Sequence, residues 1–267
     1  MTGAALPPTA AGAVSDVADA LRFFTRLPLP AASPRPLDFN RIAWAAPAVG
    51  AAVGAVGAVV AALTQVLGLP ALVSAALATA SLVAATGGLH EDGLADVADA
   101  FGGGQTRERK LDIMRDSRIG AYGAIALTLA LILRVGALAS MLSHGFWSAA
   151  GALIVVAAVS RAAALMPLAL LNPARADGVG AAAGRLEPAS FAAACSGALV
   201  LAVAIGFLTV GGGRAINAAL ASAIGAAGMT ALASRQIGGQ TGDVAGAAQQ
   251  WAEIAGWCSL LMGRFPT

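Results

Sequence analysis

A long uncharged apolar stretch constrains this chain more than any other feature. From Ile42 to His90 there is no Asp, Glu, Lys or Arg. The stretch accommodates two helices of about 20 residues each, the length that crosses the hydrocarbon core of a bilayer. A turn between them is predicted at 67–70, read LGLP. We therefore predict that the chain is an integral membrane protein.

The composition supports the same fold class. The 267 residues are 58% hydrophobic and 11% charged, whereas soluble domains average roughly 25% charged residues. We predict an all-α, polytopic integral membrane bundle of six or seven transmembrane helices, with residues 42–267 forming one domain. Gly50, Gly54 and Gly57 form a small-residue ridge suited to close helix packing. The six spans are placed at Ala43–Leu67, Ala71–Leu89, Gly120–Leu142, Phe146–Leu171, Phe191–Val210 and Ile216–Ser234.

A seventh segment, Ala245–Met262, is moderately apolar but carries Gln249, Gln250 and Glu253. Polar residues at membrane depth usually face the bundle interior or a cavity. The segment is therefore a span that lines a site, a half-span or an interfacial helix, and the sequence leaves these three alternatives open.

Residues 1–41 are predicted to lie outside the membrane domain. Met1–Ala13 is small and Pro-containing, and we expect it to be disordered. Ser15 is a plausible N-cap for a helix that is either interfacial or packed against the bundle. A Pro-rich linker, Pro28–Pro36, then leads to the first span. The chain start lacks the basic and continuous apolar regions of a signal peptide, so the N-terminus should be retained.

Basic residues fall almost entirely on one side of the predicted spans. The other side has Arg214 and, if the seventh segment spans, Arg264. The positive-inside rule then places the N-terminus in the cytoplasm and predicts a multi-pass protein of the bacterial cytoplasmic (inner) membrane. The twelve residues on the cytoplasmic side are Arg22, Arg26, Arg35, Arg41, Arg107, Arg109, Lys110, Arg115, Arg118, Arg175, Arg185 and Arg235.

Charge and cysteine content exclude other classes. The formal net charge of +2 is too small to argue for nucleic acid, and base-stacking aromatic platforms are not apparent. Cys195 and Cys258 are the only cysteines, and both lie in apolar segments, which favours neither a disulfide framework nor a thiolate metal site. The lipid bilayer is the expected partner, and a homo-oligomer or pathway partners stay open.

Acidic residues concentrate between the second and third spans. Asp92, Asp96 and Asp99 recur at i, i+4 and i+7, which places three carboxylates on one helix face. Asp112 and Asp116 repeat the i, i+4 spacing. Like charges about 4 Å apart repel by roughly 4 kcal/mol at an effective dielectric near 20. The cluster therefore requires a divalent cation or cationic side chains.

Both kinds of partner are available in principle. Mg²⁺ prefers oxygen ligands and often bridges carboxylates to substrate phosphates, which fits phosphoryl chemistry. Alternatively, basic residues such as Arg115 and Arg118 neutralise the acids as surface pairs in a solvated loop. The segment from Asp92 to Asp99 contains no basic residue, and glycines at 102–104 break any helix before the basic residues begin. We therefore favour the metal.

Further polar residues reach the same cytoplasmic side. His90 adjoins the acids, and we expect it to position substrate. Arg161 lies within the fourth predicted span, where it faces the acidic site or a bound anion or forms a structural ion pair. The segments 172–187 and 238–243 return to this side, so several loops converge on one surface.

Three motifs together resemble the membrane-bound cobalamin synthases, the adenosylcobinamide-GDP ribazoletransferases. They read GGLHEDGLADVADAFGG from residue 87, IMRDSRIGAYG from residue 113 and GGQTGDVAGAAQQWAEI from residue 238. The segment FFTRLPLP at 23–30, the pair Ser160-Arg161 and the segment 173–180 are similar to the family's opening and middle, so the resemblance covers 23–254.

The resemblance implies a Mg²⁺-dependent transfer. The 3′-hydroxyl of α-ribazole, or of its 5′-phosphate, attacks the cobinamide-bearing phosphate of adenosylcobinamide-GDP, and GMP leaves. The chemistry is similar to that of the CDP-alcohol phosphotransferases, whose acidic groups hold metals. Asp112 to Asp116 fits the second D-x-x-x-D half of that motif, whereas Leu89 stands where the first half would begin with Asp.

Candidate site residues follow from the acids and the resemblance together. Asp92, Asp96 and Asp116 are predicted to be catalytic and to bind Mg²⁺, with Asp99, Asp112 and Glu91 as weaker metal ligands. The predicted substrate-binding residues are His90, Arg115, Arg118, Arg161, Asp177, Gln240, Asp243 and Gln249.

A membrane divalent-cation transporter is the alternative function, because intramembrane acids can carry cations and helical bundles can alternate access. The acids cluster at one end of the predicted spans rather than at the midplane, and the second half carries no matching acidic motif. A non-catalytic membrane scaffold is a third possibility.

Overall fold

The computed structural model describes residues 10–29 and 36–262, and within these ranges the chain is helical. In these two ranges, thirteen α-helices are joined by short loops and one 3-10 turn at Ala43–Ala45. In chain order they are α1 Ala10–Phe24, α2 Phe39–Ile42, α3 Ala46–Val66, α4 Ala71–Thr86, α5 Leu89–Gly103, α6 Arg107–Ile113, α7 Ala121–His144, α8 Phe146–Ala163, α9 Met166–Leu170, α10 Gly178–Ala183, α11 Pro188–Thr209, α12 Gly212–Ile237 and α13 Gly242–Leu261.

The predicted polytopic bundle is confirmed. Among the described residues, five helical segments are long and apolar enough to cross a membrane, and a sixth is reached if the bent pair α4 and α5 counts as one broken span. The five are Phe39–Val66, Ala121–His144, Phe146–Leu170, Pro188–Thr209 and Gly212–Ile237. Each corresponds to one of the six spans placed from the sequence.

The bend between α4 and α5 sets the position of the acidic helix. The two helices meet at 89°, and the turn consists of Gly87 at φ +66° and Gly88 at φ +70°. Positive φ is strained for residues with a Cβ atom, so the glycine pair permits a sharp turn here. The second span was predicted to continue to Leu89, but the helix ends at Thr86 and Leu89 begins α5.

Close glycine contacts hold the bundle together. A Cβ atom at Gly50 would lie 2.2 Å from the carbonyl oxygen of Ala157, and one at Gly54 would lie 2.6 Å from that of Leu153. The backbones of α3 and α8 therefore approach each other directly, as small-residue packing in membranes predicts. The small-residue ridge expected from the sequence is confirmed at these positions.

Helix α13 lies inside the bundle, packed against α5, α7, α8 and α12. Gln249 and Gln250 are almost fully buried, and Glu253 is 3% exposed. This burial excludes the interfacial alternative for the seventh segment. The polar residues that made the segment ambiguous face other helices instead of lipid or water.

The N-terminal helix differs from its prediction. Helix α1 already includes Ala10–Val14, so Ser15 lies within the helix and is not its N-cap. The alanines in AAGAV have a strong helix propensity, which extends the helix into the start that was predicted to be disordered. Residues 1–9 of that start, and 30–35 of the Pro-rich linker, lie outside the described residues.

Helix α1 packs against the bundle, which resolves the alternative left open for it. Asp16 and Asp19 are buried, and Arg41 forms ion pairs with both, at 3.4 Å and 2.8 Å. Phe24, at the end of α1, is buried in the same core as α3. Phe24 is also stacked on His90, which places the end of α1 next to the beginning of α5.

Candidate active site

Two cavities open at the end of the bundle where α5 and α13 begin. The aromatic cavity, of about 270 Å³, is lined mainly by Phe23, Phe24, Phe39, Leu165 and Leu168, with His90, Asp92, Arg175 and Asp243 as polar members. The polar cavity, of about 440 Å³, is lined by Arg26, Gly87, Gly88, Asp92, Asp96 and Ser117, among others. Leu89 and Asp92 belong to the walls of both cavities, so the two cavities adjoin at the beginning of α5.

Asp92 and Asp96 are the two acids of α5 whose side chains have no partner among the described residues. Neither side chain forms a hydrogen bond or ion pair with any described residue, while the carboxylates of Asp92, Asp243 and Asp99 all act on Asp96 with like charge. Arg175 is the cation that opposes them. The helical spacing predicted for Asp92 and Asp96 is confirmed, because both lie on α5.

A backbone approach between α5 and α13 brings Asp243 to this cluster. A Cβ atom at Gly93 would lie 2.7 Å from the carbonyl oxygen of Asp243 and 3.2 Å from the Cα atom of Gly246. Only a glycine at position 93 allows the two helices to meet this closely. Asp243, predicted to bind substrate, thus lines the aromatic cavity together with Asp92.

Asp99 has a different role from the other two acids of α5. Its carboxylate accepts hydrogen bonds from the backbone N–H groups of Gly120, at 2.7 Å, and Gly123, at 2.9 Å. These groups are unsatisfied donors at the start of α7, so Asp99 caps that helix from a distance. The structure therefore does not place its carboxylate among the free acids predicted to bind metal.

Glu91 points into the bundle. It accepts a hydrogen bond from Arg134 at 2.7 Å and one from Gln250 at 3.2 Å. Arg134, which is 3% exposed, also forms an ion pair with Glu253 at 2.9 Å. A single buried arginine therefore links α5, α7 and α13. Glu91 lies within this network and away from the free acids.

Gln249 belongs to the same interior network. Its amide donates to Ser160 at 3.0 Å and to Glu253 at 2.7 Å. Arg161 is buried beside the network and donates to the carbonyl of Ala157 in its own helix at 3.1 Å. The structure therefore places Gln249 and Arg161 in the interior, away from the cavity walls on which we expected substrate.

The second acidic pair is exposed and paired with arginines. Asp112 forms an ion pair with Arg115 at 3.3 Å, and Asp116 forms one with Arg118 that has several hydrogen bonds. Hydrogen bonds from the Arg118 side chain and backbone lower the pKa of Asp116 to about 2. The loop that carries Asp116 contributes its neighbour Ser117 to the polar cavity, so Asp116 lies beside the cavity and not with the α5 acids.

The remaining predicted binding residues organise the loop before α10. Asp177 accepts from Arg115 at 3.1 Å and pairs with Arg175 at 3.3 Å. Gln240 is fully buried and donates to the carbonyl groups of Gly180 and Gly184. Gln240 therefore holds α10 and its C-terminal end in place, while Arg175 reaches the aromatic cavity.

Several lining residues were not predicted as site residues. Arg26 and Arg175 are predicted only as basic residues of the cytoplasmic side, and Phe23 and Phe24 only as part of the segment FFTRLPLP. The signal that could have identified them was FFTRLPLP, because a motif of this length outside the membrane domain suggests a role beyond packing. Its aromatic rings line one cavity, and its arginine lines the other.

The donor set fits Mg²⁺, although the present side-chain positions do not form a complete cage. Among the described residues, no group of three His, Cys, Asp or Glu side chains is arranged to hold a metal ion. Mg²⁺ bound with phosphorylated substrates usually takes one or two carboxylates and completes its shell with water and phosphate oxygens. The two unpartnered carboxylates of Asp92 and Asp96, both on the polar cavity, match that requirement.

Comparisons with known proteins agree with the sequence motifs. A family model described as cobalamin-5-phosphate synthase matches residues 16–261. A protein of Azorhizobium caulinodans named adenosylcobinamide-GDP ribazoletransferase is 51% identical over 249 residues, covering 91% of this chain and 93% of the relative. Proteins of the same name from Xanthobacter autotrophicus and Mesorhizobium japonicum are 50% and 48% identical, over 90% and 91% of this chain and 92% and 91% of their own lengths.

No solved structure matches this chain. The family model and these relatives carry the names of a synthase and of transferases. The transporter alternative therefore has no support from the comparisons.

Proposed function

This chain belongs to the cobalamin-5-phosphate synthase family, and we propose that it catalyses the transfer for which its relatives are named. The donor is adenosylcobinamide-GDP, the acceptor is α-ribazole or its 5′-phosphate, and the products are adenosylcobalamin or its 5′-phosphate together with GMP. The observation that supports this proposal best is the pair of adjoining cavities with Asp92 on both walls, because a two-substrate transfer requires two binding sites that meet at the reacting atoms.

The reaction needs one bond exchange at phosphorus. The ribose hydroxyl oxygen of the acceptor forms a bond to the phosphorus that carries cobinamide, and the anhydride bond to the second phosphorus breaks. The leaving oxygen departs with GMP, and the hydroxyl loses its proton. We propose Asp92 as the acceptor of that proton, since its side chain is unpartnered among the described residues and Asp92 lines both cavities.

Asp92 and Asp96 would hold Mg²⁺, and Asp116 stays a prediction as a further ligand from the neighbouring loop. Bound Mg²⁺ would supply charge neutralisation at the phosphate oxygens. Arg26 lines the polar cavity, and its guanidinium can donate to the diphosphate. Arg115 and Arg118 lie in the adjoining loop and add positive charge there.

The reaction is proposed to face the cytoplasm of a bacterial inner membrane, since both cavities lie at the end of the bundle that carries most of the basic residues. Labelling of single cysteines in intact cells tests this orientation, in a background in which Cys195 and Cys258 are replaced. Probes at Gln105 and Ala176 should be protected from an impermeant reagent, whereas a probe at Ser143 should react. Labelling at Gln105 would overturn the orientation.

GMP release tests the activity directly. Purified protein should release GMP when it is given adenosylcobinamide-GDP, α-ribazole and Mg²⁺, and omission of α-ribazole should stop the release. EDTA should stop it reversibly, with recovery on addition of Mg²⁺. Undiminished GMP release in EDTA would contradict the metal requirement, whereas no release under any of these conditions would contradict the proposed function.

A further inference from the structure

We infer that the aromatic cavity binds the base of the nucleoside acceptor and that Phe24 forms the stacking wall for this base. The inference rests on the proposed function, because it assigns one of that reaction's two substrates to one of the two cavities. It adds the position of each substrate, which neither the family name nor the names of the relatives specifies.

The walls of the aromatic cavity suit a flat, weakly polar ring. Phe23 packs edge-on against Phe24 and Phe39, with ring centroids 4.8 Å and 5.0 Å apart. Phe24 is stacked on His90, with centroids 6.2 Å apart and an angle of 18° between the planes. Phe23, Phe24 and Phe39 all line the cavity, and aromatic rings prefer edge-on or offset-stacked contacts with another ring. Leu165 and Leu168 complete the apolar lining.

The size of this cavity restricts its occupant. Its volume of about 270 Å³ lies just below the range of roughly 300–1,000 Å³ usual for drug-sized ligands. A bicyclic base such as the benzimidazole of α-ribazole is compatible with this space. A corrin macrocycle that carries a nucleotide is many times larger and must lie elsewhere.

Guanine, the other flat base in the reaction, suits this cavity less well. Guanine carries a carbonyl and an amino group on its ring, and a buried polar group without a hydrogen-bond partner is unfavourable. The rings of Phe23, Phe24 and Phe39 offer guanine no hydrogen-bond partner. Of the polar side chains that also line the cavity, His90, Asp92, Arg175 and Asp243, the last two pair with each other. A benzimidazole has no exocyclic donor that would need one.

The polar cavity complements this assignment. Arg26 lies against Gly87, where a Cβ atom would come within 2.8 Å of the arginine side chain, and no described carboxylate forms an ion pair with Arg26. Its guanidinium is therefore available to a diphosphate. With the base in the aromatic cavity and the diphosphate in the polar cavity, the ribose hydroxyl and the phosphorus meet at Asp92.

Steady-state kinetics with both substrates tests the assignment. Phe24→Leu, which keeps an apolar side chain but removes the ring, should raise KM for α-ribazole about tenfold, in line with the loss of one aromatic contact. KM for adenosylcobinamide-GDP should stay unchanged, and Phe24→Tyr should restore most of the affinity for α-ribazole. Arg26→Gln should raise KM for adenosylcobinamide-GDP and leave KM for α-ribazole unchanged.

Phe207→Leu is the matched control, because Phe207 is 77% exposed on α11, and it should leave both KM values unchanged. If Phe24→Leu does not fold, Phe39→Leu provides the same measurement from the adjoining wall. A raised KM for adenosylcobinamide-GDP with an unchanged KM for α-ribazole would overturn the inference and place guanine in the aromatic cavity. An equal rise in both KM values would overturn it as well. Absence of GMP release by the unmodified protein would instead contradict the proposed function.

Discussion

The two acidic pairs of this protein have the same spacing in sequence and opposite surroundings in the structure. Asp92 and Asp96 border the polar cavity without any hydrogen bond or ion pair to the described residues. Asp112 and Asp116, also four residues apart, pair with Arg115 and Arg118. Spacing therefore identifies acids that can act together, whereas the nearby cations determine which of them stay free for a metal or a proton.

The largest expected effect follows from removing the free acids. Asp92→Asn and Asp96→Asn should each lower kcat by about 10³-fold or more, since each variant loses a proton acceptor or metal ligand. The melting temperature without metal should stay the same or rise, because like-charge repulsion around Asp96 decreases. Glu108→Gln, on the exposed face of α6, is the control and should leave kcat unchanged. A collapse of thermal stability in both Asp variants would show that these acids are structural.

Replacing one buried and one exposed arginine tests whether the buried acids depend on their cation for stability more than the exposed acids do. Arg134→Gln leaves Glu91 and Glu253 buried without their cation. Loss of one partner of a buried ion pair typically costs about 3–5 kcal/mol. In mixtures of detergent and SDS, the variant should therefore unfold at a much lower SDS concentration than the unmodified protein. Arg118→Gln, at an 87% exposed side chain, should unfold like the unmodified protein. Equal stability of the two variants would contradict the structural role of the interior network.

The two acids of the second pair, Asp112 and Asp116, are expected to contribute differently to kcat. Asp116→Asn should lower kcat by about 10–100-fold, the usual range for groups that orient a metal site, because its loop borders the polar cavity. Asp112→Asn should change kcat less than about threefold, as expected for an exposed pair. If the two variants behave alike, the loop position of Asp116 has no special role, and its assignment as a metal ligand is wrong.

The smallest expected effect concerns Asp99, which shares a helix with the free acids but has its own partners. Asp99→Ala removes the cap of α7 and should cost about 1 kcal/mol of stability, measured as a modest decrease in melting temperature. Its kcat should stay within about threefold of the unmodified value. A decrease in kcat as large as that of Asp92→Asn would indicate that Asp99 is a metal ligand, as first predicted.

The sequence predicts the fold better than it predicts the partners of the acids. Long charge-free stretches are visible in the local composition, so the membrane spans could be predicted. The spacing of glycines is also a local property, so the close contact at Gly50 and Gly54 could be predicted too. Hydropathy does not distinguish a helix in lipid from one inside a bundle, so the position of α13 stayed open. The start of α1 was predicted too late in the chain. Ser15 is a typical N-cap residue, but the alanines before it are strong helix formers and extend the helix to Ala10.

The site was predicted only in part, for a similar reason. The i, i+4 spacing places Asp92 and Asp96 on one face, which is a local property of α5. The partners of Glu91 and Asp99 come from α7, 43 and 21 residues away along the chain. No local pattern specifies such contacts, and the aromatic cavity likewise combines α1, α5 and the loop before α10.

The right-angle turn at Gly87 and Gly88 also has a consequence for the biogenesis of the protein. An Asp at the centre of a membrane helix costs about 2.5–3.5 kcal/mol on insertion scales, so α5, with Asp92, Asp96 and Asp99, cannot partition into lipid by itself. Because its backbone contacts at Gly93 involve α13, its final position requires a helix that the ribosome synthesises much later than α5. We therefore expect the nascent chain to hold α5 at the membrane surface until α13 emerges, so that an active enzyme appears only after that point.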